Sequence, residues 1–124
     1  MEDKIRNNEI VDLKIQEGWK FFANLFFKHV DPSLYDFDQK TLDESGNAND
    51  FTEDLLMLKN DKLNRILDLG WYMNGDVNGQ FRIVMSQKFE ADEWDDIFSF
   101  SSKSQSEIIE KIQECLSEDF LKEE

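Results

Sequence analysis

A chain of 124 residues with 28 acids against 14 bases carries a formal net charge of −14. That length suits one domain with one core, and the charge argues against direct binding to nucleic acid or to anionic membranes, both of which need a basic footprint. No run approaches the ~18 apolar residues of a membrane-spanning helix, and net charge of this size favours a dissolved monomer.

The N-terminus, MEDKIRNNEI, is polar and mixed in charge, without the basic and then apolar segments of a secretory signal. The one cysteine, Cys115, permits no intramolecular disulfide and belongs to no zinc-type cluster. A cytoplasmic protein without metal or cofactor is therefore expected. Beyond this start, Val11, Leu13 and Ile15 alternate, and the type of segment 1–15 stays open. Trp19, Phe22, Ala23, Phe26 and Val30 then fall at helical spacing and predict a helix over 16–29, although Gly18 lies inside it. Asp31-Pro32 should end that helix, because the residue before proline disfavours the α region. The phenylalanine-rich stripe is read as core rather than a ligand groove. His29, beside Lys28 at the helix end, is read as a surface or packing residue.

Residues 43–50, DESGNAND, form the clearest loop: polar, small and rich in turn formers. Five acids and no Lys or Arg occupy 41–58. Asp50-x-x-Glu53 resembles a helix cap, yet Asn60-Asp61 between two apolar runs reads as a hairpin turn. The hairpin is preferred, giving strands at about 54–59, 63–72, 80–88 and 96–101. In the last of these Phe98 and Phe100 face one way and Ser99 the other.

Between the second and third of these strands, Asn74, Asp76, Asn78 and Gly79 match the first half of a calcium loop. The position that needs a bidentate Glu is Met85, whose thioether does not ligate a hard cation. The flanks alternate instead. Pairing Trp71 with Phe81 sets Leu69 against Ile83 and Leu67 against Met85, every inward pair apolar, and a slip of one residue would break the set. The segment is therefore a hairpin loop, with Asn and Gly where φ > 0 is needed.

Ser104-x-x-Glu107 opens a C-terminal helix as a capping box, and Ile108, Ile112, Cys115, Leu116 and Phe120 make its apolar stripe. Cys115 on that stripe is a structural thiol. The acidic last turn, set against the helix dipole, should fray. The expected fold class is α+β: a single domain over 1–124, an antiparallel β-meander of about four strands with an N-terminal and a C-terminal helix packed on it. No nucleophile motif, phosphate-cradling glycine loop or HExxH accompanies the lone histidine, so an enzyme is not expected.

LDLGWYMNGDVNGQFRIVM followed by EWDDIFSFSSKSQSEIIEKIQECL resembles the C-terminal half of small immunity proteins from bacterial polymorphic-toxin and contact-dependent growth inhibition systems. The likeness covers about 63–116. It implies an acidic cytosolic inhibitor of a cognate toxin domain, often a nuclease with a basic cleft, but carries over no contact residues. The charge pattern names a surface: from Phe89 to Ser102 there are five acids and no base, all within EADEWDD. Glu90, Asp92, Glu93, Asp95 and Asp96 form the candidate partner-binding set, with Trp94 as an aromatic anchor and Asp76 of the hairpin loop as an outlying member. The alternative reading of Trp94 is packing against the sheet edge. The alternative functions are an acidic adaptor or regulator of another basic protein, and a nucleic-acid mimic.

Overall fold

The computed structural model describes residues 9–89, 93–117 and 120. Five antiparallel strands lie in chain order across one sheet: β1 (Trp19–Asn24), β2 (Leu56–Asn60), β3 (Arg65–Tyr72), β4 (Gln80–Lys88) and β5 (Trp94–Ser102). Two helices accompany them, α1 (Gln39–Ser45) and α2 (Gln105–Cys115), with 3-10 turns at Pro32–Tyr35 and Ala48–Asp50. The fold is α+β, with one strand more than the sequence suggested.

The central hairpin has the register that apolar pairing demands: Leu67 opposite Met85, Leu69 opposite Ile83, Trp71 opposite Phe81. All six side chains are buried. Trp71 is the hub, meeting Phe51 and Phe81 edge-to-face at 5.0 and 4.9 Å. The same face is closed by α2, whose Ile108, Ile112, Cys115 and Leu116 are buried. Phe120 packs edge-on against Phe98. Burial pushes the Cys115 thiol up to about 12, so it stays a protonated, inert group at neutral pH.

The cap of α2 is a relay rather than a simple box. Ser104 Oγ accepts from the Glu107 N–H, while the Glu107 carboxylate turns to Ser102 Oγ, which accepts from the Ser104 N–H. The acidic last turn falls largely outside the described residues.

The N-terminal helix expected over 16–29 is absent, and β1 occupies its place. Gly18, at φ +96°, sits in a tight turn in which the Trp19 N–H donates to the Gln16 carbonyl. Trp19 is buried as the first residue of the strand, and Phe22 lies at a register break between Phe21 and Ala23, 71% exposed. Phe26 and Val30 reach the core only after the strand has ended. The helical spacing thus arose from a strand, a bulge and a bend, whose backbone bonds go to β2 and to residues 9–11. Asp31-Pro32 begins a helical turn instead of ending one: the Asp31 carboxylate accepts from the Ser33 N–H, and proline takes the first position, where its missing N–H costs nothing.

The loop expected over 43–50 is shorter than its composition implied. α1 runs through Ser45, is capped by Asp38, and stops at Gly46 in the left-handed conformation. His29 is a packing residue, buried, with Nε2 2.7 Å from the Asp50 carboxylate and Phe27 stacked on its ring. Its carbonyl accepts from the Tyr35 hydroxyl, which in turn accepts from the Asn47 amide.

Candidate functional site

With the inner face of the sheet sealed, candidates lie on its outer face and two edges. β5 is one edge. Its pairing with β4 puts Ser86 opposite Asp96, Gln87 opposite Asp95 and Lys88 opposite Trp94, after a bulge that shifts the register beyond Met85. The Phe89 N–H donates to the Glu93 carbonyl at 2.8 Å and closes the base of this hairpin. Glu93, Asp95 and Asp96 are exposed, and Trp94 is 41% exposed. Asp96 accepts from Ser86 Oγ at 2.8 Å, which fixes its carboxylate on the outer face. Of the sequence candidates here, Glu90 and Asp92 lie outside the described residues.

Two features modify the sequence reading. Lys88 stands directly across from Trp94, so the segment is free of bases along the chain but not across the sheet. Phe89 is 48% exposed beside the acids, giving the edge a second aromatic that the charge pattern had not singled out.

Asp76 does not join this set. The β3–β4 loop and the β4–β5 connection lie at opposite ends of β4, a nine-residue strand that spans roughly 25–30 Å at ~3.4 Å per residue. Asp76 serves its own loop: its carboxylate accepts from the Asn78 N–H, and its backbone carbonyl accepts from the Trp71 indole. Gln39 of α1 binds the same loop, donating to the Gly75 carbonyl and accepting from the Val77 N–H. Met85, at the would-be calcium position, is buried in the core. Among the described residues no group of three or more His, Cys, Asp or Glu side chains is placed to hold a metal.

The outer face holds a second acidic feature. Asp68 of β3 sits between Met57 of β2 and Val84 of β4. Burial first, and the nearby Asp54 charge second, push its carboxyl above the ordinary range. Residues 52–55 lie close alongside β3: the Trp71 N–H donates to the Thr52 carbonyl and the Leu55 N–H to the Leu69 carbonyl. Gly70 makes this approach possible, because a Cβ there would collide with the Glu53 carbonyl.

Fold and surface together define a small α+β protein with an acidic, aromatic-bearing sheet edge. No described helix is long and apolar enough to cross a membrane. No protein-family model matches the chain, and neither the curated proteins nor the solved structures contain a detectable match.

Proposed function

We propose that the chain is an immunity protein that binds a cognate bacterial toxin domain, a nuclease with a basic cleft, and blocks it by covering that cleft. The observation that carries this reading is the β5 edge: exposed Glu93, Asp95 and Asp96 around a Trp94 that is 41% exposed, in a chain of net charge −14. A cleft that holds phosphates must be basic. An acidic strand laid across it excludes substrate and gains complementary potential, which steers encounter toward ~10⁸–10⁹ M⁻¹s⁻¹ at low salt. Trp94 and Phe89 supply apolar area from which a partner can gain affinity. The resemblance of 63–116 to growth-inhibition immunity proteins supports the same role.

The test is protection. A candidate cognate toxin domain is expressed under tight control, with and without the chain. Restored growth, together with a 1:1 complex on size-exclusion chromatography, is the expected result. Failure to protect and to form a complex, with both proteins folded, leaves the adaptor reading in its place.

A further inference from the structure

The outer face carries a groove of about 180 Å³ at the end of the sheet away from β5. Phe22, Ala23, Leu56 and Met57 give it apolar walls, and Asp54 and Asp68 give it two carboxylates. From this geometry we infer that the groove is a socket for one arginine or lysine side chain of a protein partner. The inference deepens the immunity reading, and rests on it only for the identity of that partner.

Three observations converge on a cation with an aliphatic stem. The walls match methylene groups, and long basic side chains bury their stems against apolar surface while their heads stay polar. Phe22, at 71% exposure, offers a ring face, and that face already attracts charge: Lys59 Nζ lies 5.9 Å from its centroid. Finally, the acids are open to a guest. Lys59 is instead within 3.9 Å of Asp61, and among the described residues neither the Asp54 nor the Asp68 carboxylate accepts a hydrogen bond or joins an ion pair. A half-buried carboxylate held beside a like charge, without an ion-pair partner among the described residues, is satisfied by an incoming guanidinium or ammonium through charge-assisted hydrogen bonds. Lys59 and Arg82 are the cations nearest by strand position, and neither forms an ion pair with Asp54 or Asp68, so a guest is held by reaching the two carboxylates.

The probe is Nα-acetyl-arginine methylamide, titrated into isotope-labelled protein and followed by amide chemical shifts, with Nα-acetyl-norleucine methylamide as the neutral control. Saturable shifts centred on Phe22, Ala23, Met57 and Asp68, weakened about tenfold or more in Asp68→Asn and absent with the control, are expected. Shifts spread over all acidic segments and unchanged in Asp68→Asn overturn the inference, as does equal binding of the control. The same variant is then measured against the cognate toxin domain. Weakening of about tenfold or more supports the socket. Unaltered affinity in Asp68→Asn, with protection intact, removes the socket from the interface and leaves the immunity reading standing. Arginine binding at the groove without any protecting toxin pair does the reverse.

Discussion

Each edge strand of this sheet begins with a tryptophan, and the two are used in opposite ways. Trp19 opens β1 and is 6% exposed; Trp94 opens β5 and is 41% exposed. Around Trp19 the chain from 18 to 30 has two lysines and no acid. Around Trp94 lie Glu93, Asp95 and Asp96. At the β1 edge the aromatic is drawn into the core, together with Phe26 and Val30 of the chain that follows. The β5 edge leaves its tryptophan half in water, ringed by charge. A large aromatic kept partly wet contributes less to folding than a buried one, so the two tryptophans should differ in what their removal costs.

Replacing each tryptophan in turn sharpens this contrast. Trp19→Ala should cost about 3–5 kcal/mol of stability, seen as a lower denaturation midpoint, because it empties a buried site. Trp94→Ala should cost about 1 kcal/mol or less in the same assay; if Trp94 is an anchor, the toxin complex should dissociate faster, with a loss of ~2 kcal/mol or more in affinity. Equal destabilisation by the two changes would break the comparison and make Trp94 a packing residue.

Between the edges, Gly70→Ala should cost about 1–3 kcal/mol, since the added Cβ meets the Glu53 carbonyl and the segment alongside β3 has to shift. A melting temperature within error of the wild type would show that this segment yields freely and does not fix Asp54 beside Asp68.

A smaller effect of opposite sign is expected at Asp68. Its carboxyl is raised in the folded state by burial and then by Asp54. Between the ordinary value of 3.8 and the raised one, the folded protein holds more proton than the unfolded chain, so stability falls as pH rises through that window. Asp68→Asn should therefore melt higher than the wild type at neutral pH, with the gain disappearing below pH 3.8. A variant less stable at neutral pH would mean that the Asp68 charge is satisfied in the free protein, contrary to the open socket.

How legible each region was follows from its pairing. The central hairpin alternates cleanly, so one register buries every apolar side chain, and α2 announces itself through a cap and a single stripe. β1 does not alternate: Phe21 and Phe22 are adjacent, a register break falls between Phe21 and Ala23, and Phe26 lies beyond the strand, which together imitate a helical repeat. The acidic edge was visible as a run along the chain, but Lys88 across from Trp94 became visible only with the register. The groove was not legible, because Phe22, Asp54 and Asp68 come from three separate segments and meet only when β1, β2 and β3 pair. The His29–Asp50 contact is of the same kind, made by two loops distant in sequence.

If the acidic β5 edge steers and holds a basic partner, the encounter rate should depend on its charge. Stopped-flow association with the cognate toxin domain, from ~0.01 to ~0.15 M ionic strength, tests it most directly, comparing the wild type with a variant in which Asp92, Asp95 and Asp96 become Asn and Glu93 becomes Gln. Slower association at low salt and a flatter salt dependence are expected for the folded variant. Identical rates and identical salt dependence in the two proteins would contradict it.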